Sequence, residues 1–212
     1  NHPVFDEVII EAMPTHRCVQ DEFIGWRYEG NIFWNSTLFD QIEHGAIDIG
    51  MRETYRRLFW VLLQVKVPGE SSSSEKQQQL LIATAHFTWE GHTDERHTDE
   101  NLRKQQSKRT AAALHELKNR FQNLALPILF MGDLNENYHP RRILREAGFI
   151  DCFTALRLPP PPTHPQRPST PYEDILCEVA LDWIMHNNYA RPLLANVLRN
   201  LLLAGGYSVS DH

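Results

Sequence analysis

The sequence predicts one mixed α/β domain, a two-sheet β-sandwich flanked by helices. Three observations carry that expectation. Runs rich in aromatic and β-branched residues recur at strand length along the chain. Three such runs, over 80–87, 128–133 and 179–185, carry a histidine or an aspartate, at or near the end of the first two and inside the third. Between the first two lies a segment with apolar residues at helical spacing, so helix alternates with strand. The 212 residues are 42% hydrophobic and 23% charged, the ordinary balance of a globular domain. No internal repeat and no boundary divides residues 1–212.

In chain order, Val4, Phe5, Val8, Ile9 and Ala12 keep rough 3–4 spacing and predict a short helix over 4–13. Residues 32–34 and 58–67 read as strands. The four serines at 71–74, followed by Glu-Lys-Gln-Gln-Gln, read as a solvated hairpin loop. Residues 80–87 form a nearly continuous apolar strand that ends around a histidine. The polar stretch 90–103, which mixes His92, Asp94, Glu95, His97, Asp99 and Glu100, reads as a loop. Thr110, Ala113, Leu114, Leu117, Phe121 and Leu124 then mark one face of an amphipathic helix that Pro127 ends. Residues 128–131 form a buried strand running into Gly132-Asp133-Leu134-Asn135. Pro140 suits the first turn of a helix carrying Ile143, Leu144 and Ala147, with Gly148 at its C′ position. Seven prolines in the fourteen positions 158–171 demand an extended surface loop. A strand over 179–185 and a Leu-rich stretch over 191–203 complete the chain.

Composition narrows the function. The longest apolar run, 58–63, is far short of the ~20 residues of a membrane helix. The net charge of −6 and pI near 6.0 argue against a tight, sequence-blind binder of long nucleic acids, which needs a basic footprint. They are compatible with a metal-dependent phosphoesterase, whose ligand carboxylates add negative charge. Cys18, Cys152 and Cys177 are odd in number and widely spaced, which favours buried thiols over a disulfide framework and an intracellular setting. Asn35-Ser36-Thr37 spells a glycosylation sequon, a triplet common by chance.

The candidate reactive groups sit at strand ends, where a β-rich scaffold places functional side chains. They are His86, Asp133 with Asn135, Asp182, and the terminal Asp211-His212. Each has an ordinary alternative. A strand-end histidine is commonly a satisfied structural side chain, and Gly-Asp-x-Asn spells a turn. Asp182 is harder to dismiss, because a carboxylate between Leu181 and Trp183 costs several kcal/mol unless paired or hydrogen-bonded.

Taken in order, the motifs resemble the endonuclease/exonuclease/phosphatase superfamily, whose four-layered fold is that of deoxyribonuclease I. Thr84-Ala85-His86-Phe87 stands where that family has Asn-Thr-His-Leu, and Gly132-Asp133-Leu134-Asn135 is similar to its Gly-Asp-Phe-Asn. Ala180-Leu181-Asp182-Trp183-Ile184 corresponds to its Arg-(Ile/Leu)-Asp-Tyr-(Ile/Phe), with Ala180 in place of the arginine. Ser210-Asp211-His212 matches its closing Ser-Asp-His. The successive reactive positions are 47, 49 and 30 residues apart. Arg145-Glu146-Ala147-Gly148-Phe149-Ile150-Asp151 and Pro162-Thr163-His164-Pro165 also look like family connecting segments.

The resemblance implies a hydrolase of phosphate esters that uses Mg²⁺ or Mn²⁺. It leaves the substrate class open among nucleic acid, phospholipid and inositol phosphate, and the oligomeric state open as well. It implies that Asp133 positions the attacking water, with Asn135 holding that water or a phosphate oxygen. His86 would donate to the phosphate. His212, oriented by Asp182, would act as base or charge stabiliser, and Asp211 would contribute to the metal site. Two family motifs near the N-terminus, an Asn and a Gln-Glu whose Glu binds metal, have no clean match here. Val19-Gln20-Asp21-Glu22 has the letters but lies too close to the strand expected near 29–32. The expectation is therefore a domain truncated at its N-terminus, with Glu22 as the substitute if it is not. A non-catalytic interaction domain on the same scaffold is the alternative. Trp89 is expected in the core or as a site wall, with base or sugar stacking as its other role. His92 and His97 are not expected to bind metal.

Overall fold

The structure is a computed structural model that describes residues 4–66, 78–164 and 179–197. Its elements are α1 (Val4–Ala12), β1 (His16–Cys18), α2 (Gly25–Tyr28), β2 (Phe33–Asn35), β3 (Phe39–Ile47), β4 (Leu58–Val65), β5 (Gln79–Thr84), α3 (Thr93–Thr98), α4 (Leu102–Arg120), β6 (Ile128–Asp133), α5 (His139–Glu146), β7 (Ile150–Asp151), α6 (Cys152–Ala155) and β8 (Asp182–His186). They form a six-stranded mixed sheet in the order β3-β4-β5-β6-β8-β7 and a separate two-stranded sheet of β1 and β2. The α/β sandwich read from the sequence is thus present, with one large sheet and one small one.

β4 shows why two layers form. Seven of its eight residues are buried, so the strand is covered on both faces. Side chains alternate across a strand. Leu58, Trp60 and Leu62 join Leu81, Leu114 and Leu117 in the main core, beneath α4. Phe59, Val61 and Leu63 join Val19, Trp26, Ile32 and Trp34, beneath α2 and the small sheet.

Strand direction then assembles the site. β5 and β6 are parallel neighbours, as the long α3–α4 crossover between them permits, so their C-terminal ends lie side by side. β8 runs antiparallel to β6, which sets its first residue, Asp182, opposite the last residue of β6, Asp133.

Several elements depart from the sequence reading. Residues 90–103 are not a loop: they hold α3 and the start of α4. No residue of α3 is buried, so it has no apolar period to read. It forms because the His92 ring accepts a cap hydrogen bond from the Asp94 amide, with Asp94 and Glu95 in the first turn. α4 begins eight residues before Thr110, capped by the Asn101 side chain, and it ends at Arg120. Leu124 lies past that end and is 82% exposed, while Leu126 enters the core instead. The strand around 80–87 stops at Thr84, and Glu29 terminates α2 rather than opening a strand. Gly148 takes the left-handed conformation (φ +93°) that the C′ position needs. Cys18 and Cys152 are outside any disulfide and are half-buried rather than buried. The expected hairpin loop at 71–74, Cys177, the second half of the proline-rich stretch (165–171) and residues 198–212 lie outside the described residues. Among the described residues no helix is long and apolar enough to cross a membrane.

Candidate active site

Beyond Thr84 the chain continues to zip along β6. The Ala85 amide donates to the Met131 carbonyl at 3.3 Å, and the Phe87 amide to the Asp133 carbonyl at 2.9 Å. Gly132 permits this approach, since a Cβ at that position would stand 1.9 Å from the Ala85 carbonyl oxygen. The glycine of Gly-Asp-Leu-Asn is therefore required by packing between the two segments that carry the candidate groups.

His86 then stands between two carboxylates. Its Nδ1 is 3.2 Å from Glu29 Oε2, and its Nε2 is 3.5 Å from Asp133 Oδ2. Ionised carboxylates only accept hydrogen bonds, so the ring can donate to both only with both nitrogens protonated. Arg56 Nε donates to the other Glu29 oxygen at 3.1 Å. Burial works to raise the pKa of the Glu29 carboxyl, but the hydrogen bond and charge of His86, with Arg56 beside them, outweigh it. Glu29 is held below the usual carboxylate range and is ionised at neutral pH. The result is a row of ionisable side chains in contact, Arg56–Glu29–His86–Asp133, largely shielded from water but open at His86.

Asn135 is held in the left-handed region (φ +51°), which its short polar side chain tolerates. Its amide nitrogen donates to Asp133 Oδ1 at 2.8 Å, and its Nδ2 donates to the Phe87 carbonyl at 2.8 Å. It braces both site segments, a contact the sequence reading did not include. Asp182 is half-buried rather than buried, and its strand places it opposite Asp133. The amides of Leu181 and Asp182 both donate to Thr163 Oγ1, at 3.0 and 3.1 Å. The Pro162-Thr163-His164 segment thereby seats the start of β8. Asp211 and His212 lie outside the described residues, as does any contact between His212 and Asp182.

Sequence reasoning missed Glu29 and Arg56. Glu29 sits in Tyr28-Glu29-Gly30 and Arg56 in Arg56-Arg57, neither of which spells a motif; only the approach across 57 residues to His86 identifies Glu29. Glu22 is exposed in the turn before α2. Trp89 is not a core residue: it is 48% exposed, with its ring edge-on to His92. Among the described residues no three His, Cys, Asp or Glu side chains are grouped to hold a metal ion, and Glu29 is already engaged by Arg56 and His86. The described residues alone therefore do not fit a complete Mg²⁺ site.

No family model and no curated protein sequence matches the chain. Solved structures do. The chain is similar to an endonuclease/exonuclease/phosphatase family protein from Bacteroides thetaiotaomicron, at 16% identity over 86% of this chain and 65% of that one, with a TM-score of 0.58. It is similar to a mannosyl-6-phosphatase of the same organism, at 15% identity over 86% and 67% of the two chains, TM-score 0.57. A D. rerio TDP2 complexed with a single-strand DNA product matches at 13% identity over 91% and 70%, TM-score 0.53. The chain thus spans about two thirds of the length of these proteins. The likeness is one of fold, and the fold is the deoxyribonuclease I-like one that the motifs implied.

Proposed function

We propose that this chain is a hydrolase of phosphate esters, with nucleic acid, phospholipid and inositol phosphate as the candidate substrate classes. The observation that supports it is His86 held between Glu29 and Asp133 at the ends of two parallel strands of this fold. Hydrolysis needs a group to orient the attacking water and cationic donors for the phosphate oxygens. Asp133 is suited to the first role, because one of its oxygens is tied by the Asn135 amide and the other lies 3.5 Å from His86 Nε2. His86, its ring fixed from behind by Glu29 and Arg56, is suited to donate to a phosphate oxygen. Asp182, with His212 as base or charge stabiliser and Asp211 as metal contributor, completes the reading by resemblance. Dependence on Mg²⁺ or Mn²⁺ is part of the proposal; such an ion neutralises phosphate charge and eases departure of the leaving oxygen.

The test is a hydrolysis screen with Mg²⁺, Mn²⁺ or a chelator across single-stranded DNA, RNA, sphingomyelin and phosphoinositide substrates. His86→Ala and Asp133→Asn are expected to stay folded and to lower turnover by at least about 10²-fold. Turnover in both variants equal to wild type would remove these residues from the mechanism. The second reading is a non-catalytic interaction domain on the same scaffold. That reading predicts binding of a phosphate ester without its hydrolysis in any of the conditions.

A further inference from the structure

Arg103, in the first turn of α4, is only 2% exposed. A guanidinium does not shed its charge, so burying one requires a full set of acceptors. Its Nη1 donates to the Thr88 carbonyl and to Glu95 Oε2, each at 3.1 Å, and its Nε donates to Glu136 Oε2 at 3.1 Å. Those acceptors come from three separate segments. Thr88 lies two residues after His86, Glu136 lies one residue after Asn135, and Glu95 belongs to α3.

The neighbouring bonds extend the same tie. One turn along α4, Gln106 receives the Thr88 amide at 3.1 Å and donates to its hydroxyl at 2.7 Å. Asn101 donates to the same Glu136 oxygen at 2.8 Å. Burial works to raise the Glu136 pKa, but hydrogen bonds from Asn101, from the amide and ring of His139 and from Arg103 outweigh it and hold the carboxyl below the usual carboxylate range.

We infer that Arg103 is a positioning residue for His86 and Asp133: one buried guanidinium fixes the separation of the two segments that follow them. The catalytic part of this inference rests on the hydrolase reading; the geometric part does not. Folding alone does not call for such a group. A buried ion cluster is often no more stabilising than apolar side chains of similar volume, and α4 already docks through Leu114 and Leu117. The guanidinium supplies direction instead. Its planar fork bonds Thr88 and Glu136 at once, whereas a lysine ammonium is a point charge on a flexible stem.

The experiment compares Arg103→Lys, Arg103→Met and Gln106→Met with Leu114→Ala, a variant of the same helix that is destabilised through the core alone. Three quantities are read: the urea midpoint, the ring ¹⁵N resonances of His86 in histidine-labelled protein (assigned with His86→Gln), and kcat and KM on whichever phosphate ester the wild type hydrolyses. The expected result is that the Arg103 and Gln106 variants move the His86 resonances and Leu114→Ala does not. kcat is expected to fall toward about 10²-fold, the cost of a ~1 Å misplacement, with KM changed far less. Gln106→Met keeps the buried charge and removes the bonds to Thr88, together with a 3.3 Å bond to the Gly50 carbonyl, so it reports even if the Arg103 variants fail to fold. Variants that lose stability like Leu114→Ala but leave the His86 resonances and kcat at wild type overturn the inference. Shifted resonances in a protein that hydrolyses none of the esters support positioning and refute the hydrolase reading.

Discussion

Gly132→Ala is the substitution whose consequence follows most directly from the geometry. A Cβ there would stand 1.9 Å from the Ala85 carbonyl oxygen and 3.0 Å from its carbonyl carbon. Real Cβ atoms essentially never come closer than 3.0 Å to such atoms, so the two chains must separate by more than about 1 Å. Both neighbours are backbone, and no rotamer change relieves the clash. Overpacking of this kind typically costs about 1–3 kcal/mol. For a domain of this size each kcal/mol lowers Tm by roughly 2–4 °C, so the melting point should fall by about 2–12 °C. The clashing backbone adjoins both candidate groups, since Ala85 precedes His86 and Gly132 precedes Asp133, so the shift alters their separation. Turnover should therefore drop by about 10²-fold, beyond what the loss of stability explains. Gly148→Ala is the control. Its φ of +93° makes alanine strained, but nothing lies within 4 Å of the added carbon, so it should lose stability and leave the site in place. Differential scanning calorimetry and steady-state kinetics on the two variants read both effects. A Gly132→Ala protein that melts within about 1 °C of wild type and turns over normally would refute the close-approach argument.

Glu29→Gln tests the contacts of Glu29 with His86 and Arg56 through pH. The Glu29 pKa is lowered on folding, so its stabilisation is fully present above the unfolded value near 4.3 and is lost as pH falls through the lower folded value. The gap in urea midpoint between wild type and Glu29→Gln should be widest above about pH 5 and should narrow as pH drops below about 4. Glu136, which titrates in the same sense, is present in both proteins and cancels. A gap independent of pH would show that Glu29 is not held ionised by His86 and Arg56. Thr163→Val deletes the shared acceptor of the Leu181 and Asp182 amides at similar side-chain size. It should cost about 1–3 kcal/mol and speed hydrogen exchange at those two amides, and unchanged exchange would mean that Thr163 does not seat β8.

What the sequence determined by itself is what nearest-neighbour chemistry encodes. The β-branched and aromatic run at 58–65, the apolar strands before His86 and Asp133, and the strand bearing Asp182 are all found near where their patterns place them. The reason is that a strand or helix with a buried face must repeat its apolar residues at the period of its own backbone. Reactive residues at the ends of such runs were legible for the same reason.

Where that period is absent, the sequence was silent. α3 was read as loop because caps and ion pairs hold it and no apolar face does, and Arg103 looked like one more charge in a polar stretch. Leu124 had the right spacing but stands past the end of α4, so periodicity alone placed it in a core it does not enter. Glu29, Arg56 and Thr163 carry no local signature. Each matters because of a partner 57, 27 or 18 residues away, and such partners meet only once strand order and direction are set. The parallel pairing of β5 with β6 and the antiparallel return of β8 decide that His86, Asp133 and Asp182 share one end of the sheet. That juxtaposition is a property of long-range packing, which no window of sequence contains.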